Sequence, residues 1–228
     1  MAPSIIRGNI RITTTPNKGG RRGSPIANGA ALVVLAAGLL FAGRMLAVEY
    51  DVMAEKAASA RQAGGLSGFQ AAVDSNRPSA ELPPRSALFR GIMRAHAAVE
   101  EPGKAATLLR LATADMDHAL SARPSWGEAE VSAAYLAMLR DGAEAASARE
   151  ALRRSYAAAP FLRGSAPWRI RYAVSVWGLL DTETQSRVVD ETVWLARATS
   201  RTYNYARGLV AQTPAAPLVE AKLSSSGD

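Results

Sequence analysis

The sequence contains no cysteine and only two histidines among its 228 residues. The absence of cysteine excludes disulfide bonds, thiolate metal sites and cysteine nucleophiles. Neither histidine, His96 or His118, is accompanied by a nucleophile elbow, and the chain has no glycine-rich phosphate loop. We therefore expect a protein that is not an enzyme and that binds no metal and no cofactor.

Acidic residues are missing from the first 48 positions. The chain carries 27 Lys and Arg against 20 Asp and Glu, and six of the basic residues lie before position 45. The remainder is nearly neutral, with 21 basic and 20 acidic side chains. A surface that binds phosphates needs a local excess of positive charge. The composition therefore predicts that the protein does not bind nucleic acid.

Charge of either sign is absent from the 21 residues between Gly23 and Gly43. This apolar run has no turn signal, and a helix of about 20 residues crosses a hydrocarbon core of about 30 Å. Arg44 ends the run, and its long stem can carry the charge to the lipid head groups. The sequence predicts a transmembrane helix over residues 29–48, preceded by a disordered basic leader over residues 1–28.

The charges on either side of this segment indicate its orientation. Basic residues precede it, and Glu49, Asp51 and Glu55 follow it. Since basic residues are retained in the cytoplasm, we expect a single-pass protein of the inner membrane with a cytoplasmic N-terminus and a periplasmic C-terminal domain. A cleaved signal peptide is the alternative, but it places Met45 where cleavage requires a small residue.

The rest of the chain is rich in alanine and lacks sustained strand-like alternation, which predicts an all-α protein. Residues 49–85 include Pro78, Pro83 and Pro84 and are predicted to form a helical stalk and a proline-rich linker. Residues 86–210 are predicted to form one helical domain. Residues 211–228 have no core pattern, and we expect a disordered tail.

Apolar periodicity divides the domain into helical hairpins. Two signals mark helix starts as capping boxes, Ser125 with Glu128 and Thr182 with Gln185. One pattern, a small, a large and a small residue followed by a proline, occurs twice with a shift of 36 residues. The first copy is Ala112, Met116, Ala119 and Pro124, and the second is Ala148, Leu152, Ser155 and Pro160. Over residues 86–160 the chain therefore resembles the tetratricopeptide repeat family, whose period is about 34 residues. The first helices lack that family's Trp and Leu-Gly pair, so we describe the predicted α-solenoid as TPR-like.

A second resemblance lies in the C-terminal half. It is carried by Ala159-Pro160, Arg171-Tyr172, Trp177, Leu180, Arg187-Val188-Val189 and Trp194-Leu195-Ala196-Arg197. These residues resemble TPR-like accessory proteins of bacterial exopolysaccharide and O-antigen assembly, in which a single membrane anchor commonly precedes a small helical periplasmic domain. The resemblance implies a role in the cell envelope and includes no catalytic motif.

Asp115, Asp117 and His118 form the one stretch that resembles a metal or sugar-nucleotide site. Glycosyltransferases place an Asp-x-Asp pair on a loop of an α/β fold, which this sequence does not form. On a helix, Asp115 and His118 are three residues apart, and we expect them to pair on an exposed face. His96 lies on an apolar stripe without a second ligand, and we expect it in the core or a groove.

Aromatic residues are concentrated in the second half of the domain, where all four tryptophans lie. We expect Trp177 and Trp194 in the hairpin core and Trp168 at the surface. Helical solenoids bind through a groove built from their first helices. We therefore predict that the partner-binding residues are Tyr135, Arg140, Trp168, Arg169 and Tyr172.

These patterns together predict a non-enzymatic, membrane-anchored adaptor or assembly factor of the bacterial envelope, acting in exopolysaccharide or O-antigen biosynthesis or export. Its partners are expected to be integral-membrane or periplasmic proteins, and possible glycan contacts come from the aromatic residues. Two alternatives remain open: a periplasmic glycan-binding module, and a small structural subunit of an unrelated membrane complex whose anchor is the interface.

Overall fold

The computed structural model describes residues 35–50, 52–53 and 67–225. Within these ranges the chain forms helices, turns and irregular segments but no strand, which confirms the predicted all-α class. The predicted leader, the first six residues of the predicted transmembrane helix and residues 54–66 of the stalk lie outside the described residues. The described residues are divided into two units, and the boundary along the chain lies between Leu46 and Ala47.

Ten helices are described, and the first, α1, covers residues 35–50. The others are α2 (Ser67–Val73), α3 (Pro84–Glu100), α4 (Ala105–Ala122), α5 (Gly127–Asp141), α6 (Ala146–Ala158), α7 (Ala166–Ser175), α8 (Thr182–Ala198), α9 (Ser200–Val210) and α10 (Ala216–Ser224). Short 3-10 helices cover Ser79–Glu81, Pro102–Lys104 and Trp177–Leu179.

Helix α1 carries large apolar side chains that are exposed, among them Leu39, Leu40, Phe41 and Leu46. Of the helices in the described residues, none combines the length and the apolar character that a membrane span requires.

Consecutive helices of the larger unit pack as antiparallel hairpins. Helix α3 packs on α4 and α5 packs on α6, while α7 and α9 both contact α8. The approach of α3 to α4 is close because Gly91 lacks a side chain: a Cβ at this position would lie 3.2 Å from the Cβ of Asp115. The described domain is therefore a series of helical hairpins of the kind that repeat proteins stack.

The largest core cluster lies in the second half of this unit. Tyr156, Ile170 and Val188 are fully buried at its centre, and Trp177 and Trp194 are half-buried and pack against it. Smaller clusters form between α3 and α4 and extend to α5, around Met93 and Met116. Buried alanines are frequent in all three clusters, so the helix backbones approach closely.

An arginine–carboxylate cluster joins the two helices of the first hairpin. Both Arg90 and Arg94 of α3 are buried, and they donate to the carboxylate of Asp115 on α4 at distances of 2.5 to 3.0 Å. Asp115 therefore does not lie on an exposed face with His118, as the sequence predicted. The reason is that its charge is compensated inside the hairpin by two guanidinium groups 21 and 25 residues away.

The third hairpin contains a second buried pair. Arg169 of α7 and Glu191 of α8 are fully buried and form a salt bridge, and the Tyr156 hydroxyl donates to Glu191 at 2.9 Å. The remaining guanidinium N–H groups of Arg169 donate to the carbonyls of Ala159 and Pro160, each at 2.9 Å. All strong polar groups of this buried cluster are therefore paired.

The segment before α3 is fastened to the first hairpin. Arg94 donates to the carbonyls of Val73 and Ser75, Arg90 donates to the carbonyl of Arg77, and the Ser79 hydroxyl donates to Asp115. We call residues 73–82 the strap. Its C-terminal end is bound as well, since the His118 ring lies 2.9 Å from the carbonyl oxygen of Leu82. The prediction of a linker up to residue 85 was therefore wrong for this part, because two buried arginines of α3 bind its backbone.

The helix starts differ from the predicted capping boxes. Among the described residues no side chain caps α5, and the N-cap of α8 is Asp181, whose carboxylate accepts from the backbone N–H of Thr184 at 2.8 Å. This backbone hydrogen bond lowers the pKa of the Asp181 carboxyl. A capping box does occur at the start of α9, between Thr199 and Thr202.

The prediction of a disordered tail was also wrong. Helix α10 covers half of that region, and its Val219 is fully buried against the core formed by α8 and α9. Three residues of the tail, 226–228, lie outside the described ones. Ala215 and Val219 are four residues apart, so a single apolar turn is enough to attach this short helix.

Substitution Glu191→Gln is expected to destabilise the domain by about 3 kcal/mol, because it leaves the Arg169 charge buried without a counter-ion. The free energy of unfolding can be measured by urea denaturation followed by circular dichroism. The matched control is Glu220→Gln, which removes the half-exposed partner of Arg207 and is expected to cost less than about 1 kcal/mol. Equal costs for the two variants would show that the buried pair does not stabilise the fold.

Substitution Asp115→Asn is expected to loosen the strap, because Arg90 and Arg94 lose the carboxylate that holds them in place. Amide hydrogen exchange should become faster by roughly tenfold or more for peptides within residues 73–83. Peptides of α9 serve as the internal control and should exchange at the unchanged rate. Unaltered protection of the strap would contradict its assignment as part of the folded domain.

Candidate binding groove

A recess opens along the first helices of the three hairpins. Its volume is about 370 Å³. The lining residues come from α3, α5 and the start of α7; they are Ile92, His96, Val131, Ser132, Tyr135, Gly164, Ser165 and Trp168. We call this recess the aromatic groove. It lies at the location predicted for a binding surface, on first helices, and its size is in the range of small-ligand sites, about 300–1,000 Å³.

Ring contacts connect the three helices across this groove. The ring of His96 lies 5.5 Å from that of Tyr135, and the ring of Tyr135 meets that of Trp168 edge-on at 5.8 Å. Trp168 in turn stacks on Tyr172 at 5.3 Å. These centroid distances are typical of favourable aromatic pairs. The row of four rings gives the groove a continuous wall that each hairpin helps to build.

Three of the five predicted contact residues belong to this row, but they differ in accessibility. Tyr135 and Trp168 are half-buried and line the groove. Tyr172 is buried behind Trp168, and its hydroxyl donates to the carbonyl of Ala143 at 2.8 Å. Tyr172 therefore supports the wall and does not present its hydroxyl to a ligand.

The other two predicted residues lie elsewhere. Arg169 is buried in the ion pair with Glu191, so its assignment as a contact residue was wrong: adjacent positions of an α-helix point about 100° apart, and Arg169 faces the core while Trp168 lines the groove. Arg140 is exposed but lines a separate cleft of about 630 Å³ along α4. Its hydrogen bonds to Asp141 lower the pKa of that carboxyl to about 2.

Several polar groups of the aromatic groove have no hydrogen-bond partner in the part of the chain that the structure describes. They are the Tyr135 hydroxyl, the Ser165 hydroxyl, the His96 ring nitrogens and the indole N–H of Trp168. Ser132 differs, since its hydroxyl donates to the carbonyl of Glu128 at 3.0 Å. The groove thus combines an apolar wall with hydrogen-bonding groups that are available to a ligand.

Among the residues that the structure describes, no Lys, Arg, Asp or Glu lines the aromatic groove. A tyrosine hydroxyl is protonated and able to donate at neutral pH. Burial raises the pKa of the Tyr135 hydroxyl further above its ordinary value. Sequence analysis did not identify Ser165 or Ile92 as groove residues. Ser165 precedes α7 by one residue, and only the position of that helix beside α5 brings it to the site.

The stretch around Asp117 offers no metal site. Asp115 is held by arginines, Asp117 is exposed, and His118 binds the strap. Within the described ranges, no group of three His, Asp or Glu side chains is placed to hold a metal ion.

Comparisons of this chain with protein-family models, with curated proteins and with solved structures give no match.

Two single-hydroxyl deletions distinguish a ligand-facing tyrosine from a structural one. Tyr172→Phe removes a satisfied hydrogen bond and is expected to lower the free energy of unfolding by about 1 kcal/mol. Tyr135→Phe removes a hydroxyl that has no partner in the described part of the chain, and it is expected to change the free energy of unfolding by less than about 0.5 kcal/mol. Urea denaturation measures both. A larger loss for Tyr135→Phe would mean that its hydroxyl has a structural role.

Proposed function

We propose that the protein is a non-enzymatic, membrane-anchored adaptor of the bacterial cell envelope that acts in the assembly of exopolysaccharide or O-antigen. The aromatic groove is its recognition site, and this groove is the observation that carries the proposal. An open recess with an aromatic wall and available hydrogen-bonding groups is the usual form of a binding site. Helical hairpin proteins commonly bind through the surface formed by their first helices.

The membrane anchor in this proposal rests on the uncharged run between Gly23 and Gly43 and on the basic residues that precede it. The exposed apolar side chains of α1 are compatible with a lipid environment. The envelope pathway rests on the resemblance of residues 159–197 to accessory proteins of polysaccharide assembly. In this orientation the hairpin domain is periplasmic.

The proposed mechanism is tethering. An anchor keeps the groove within one stalk length of the bilayer, so that the groove meets membrane-bound partners at a high effective concentration, on the order of mM for short tethers. The ring contacts of His96, Tyr135 and Trp168 join the first helices of the three hairpins, and the groove is therefore largely formed before a partner binds. Pre-formed sites lose less conformational freedom on binding than flexible ones.

In-cell crosslinking followed by affinity purification and mass spectrometry tests this function. The full-length chain is expected to capture components of a polysaccharide polymerase, ligase or chain-length machinery. A Ser132→Arg variant, which places a long charged side chain in the groove, should reduce this capture at least about fivefold. The matched control is Ser121→Arg, at an exposed position near the end of α4, which should capture as the unmodified chain does.

A chain that lacks residues 1–48 separates the groove from the anchor. Capture of the same partners, at lower yield, is expected if the hairpin domain is the adaptor. Complete loss of the partners in this truncated chain, together with normal capture by Ser132→Arg, would contradict the proposal and make the anchor the interface.

A further inference from the structure

We propose that the aromatic groove binds a neutral saccharide, one or two hexose units of the polymer itself. This inference rests on the proposed function, because it takes the groove to be the recognition site and assigns the chemistry of its ligand. The adaptor would then contact the glycan directly, in addition to the proteins that synthesise or export it.

The shape of the groove fits a small ligand with both apolar and polar surfaces. Its volume of about 370 Å³ accommodates one or two sugar rings but not an extended macromolecular surface. The wall is formed by Tyr135, Trp168 and the ring of His96, with Ile92 and Val131 beside them. Aromatic rings of this kind pack against the C–H faces of a sugar ring while their polar ends remain available.

The hydroxyl of Tyr135 is the clearest indication of a hydrogen-bonding ligand. Among the tyrosines that pack in the hairpins, Tyr156 donates to Glu191 and Tyr172 donates to the carbonyl of Ala143. The hydroxyl of Tyr135 has no such partner in the described part of the chain, although its ring is half-buried. The Tyr135 hydroxyl is thus open to water and to a polar group of a ligand, while its ring packs in the groove wall.

The combination of polar groups matches hydroxyl groups on both sides of a ligand. The hydroxyls of Tyr135 and Ser165 donate and accept, the indole N–H of Trp168 donates, and the His96 ring nitrogens do either, according to the tautomer. A sugar offers a hydroxyl on nearly every ring carbon. A peptide segment of the same volume offers one N–H and one C=O for each residue, which is a lower density of polar groups than a sugar ring provides.

The charge of the lining determines the class of saccharide. Among the described residues no Lys, Arg, Asp or Glu lines the groove, and His96 is its one basic side chain. Arg169 of α7 is neutralised by Glu191 on the core side. Arg163 and Arg171 are exposed on the same segment of chain but do not line the groove. A carboxylate of a uronic acid would therefore lose water without gaining a permanently charged counter-ion in the groove. Neutral hexoses avoid this cost.

Titration of the purified full-length chain with defined disaccharides tests the inference. The neutral probes are maltose, cellobiose and mannobiose, and digalacturonate is the anionic probe of matched size. Calorimetry and tryptophan emission, in a buffer free of glycoside detergents, report binding. At least one neutral probe is expected to bind with a Kd on the order of 1 mM. Digalacturonate should bind at least about tenfold more weakly than that probe.

Variants that remove the Tyr135 hydroxyl or the Tyr172 hydroxyl test whether the disaccharide binds in the aromatic groove. Tyr135→Phe should weaken binding of the neutral disaccharide about fivefold, the effect of one lost hydrogen bond. Tyr172→Phe should leave the Kd unchanged, since its hydroxyl is already bonded within the protein. Ser132→Arg should abolish binding by filling the groove. Unfolding curves of each variant establish that the folded protein is being titrated.

The inference is overturned if none of the three neutral disaccharides saturates the protein at 20-fold above the expected Kd, or if digalacturonate binds most tightly. It is also overturned if Tyr135→Phe and Tyr172→Phe weaken binding equally. These results leave the proposed function testable by itself: loss of protein capture in Ser132→Arg, without any sugar binding, would retain the adaptor and assign the groove to a protein segment.

Discussion

Pairing of buried arginines with carboxylates is the constraint on which the rest of the domain depends. A charged group is removed from water at a large free-energy cost, which is offset only when a counter-ion and further acceptors surround it. In the first hairpin Asp115 is the counter-ion of Arg90 and Arg94, and in the third hairpin Glu191 is the counter-ion of Arg169. Each pair links the two helices of one hairpin, so helices that slid or rotated past each other would lose it.

These pairs also orient the helices that form the aromatic groove. Arg90 and Arg94 lie on the core face of α3, and Ile92 and His96, two residues further on in each case, therefore face outward. On α7, the ion pair of Arg169 fixes the rotation that points Trp168 into the groove. Polar contacts that look purely structural thus determine which side chains meet a ligand.

Much of this organisation could be predicted from the sequence. Apolar periodicity placed the helices from α3 to α8, and the distribution of aromatic residues indicated Tyr135 and Trp168 as contact residues. Periodicity treats a charged residue as exposed, however, and it contains no information about a partner 20 to 25 positions away. For that reason the burial of Asp115 and Arg169 was not predicted. The attachment of the strap, which depends on buried arginines of α3, was not predicted either. The attachment of α10 was missed because Ala215 and Val219 make too short a pattern to detect.

Occupancy of the aromatic groove in living cells is the most direct test of the account, and the absence of cysteine makes it simple. A single Ser132→Cys substitution gives the groove a unique thiol, and Ser121→Cys gives an exposed control. The rate of labelling by a membrane-impermeant maleimide would be compared between intact envelopes and purified protein. A groove that holds its partner predicts that Ser132→Cys is labelled several-fold more slowly in the envelope, relative to Ser121→Cys. Equal relative rates in both settings would contradict the claim that this groove is a binding site.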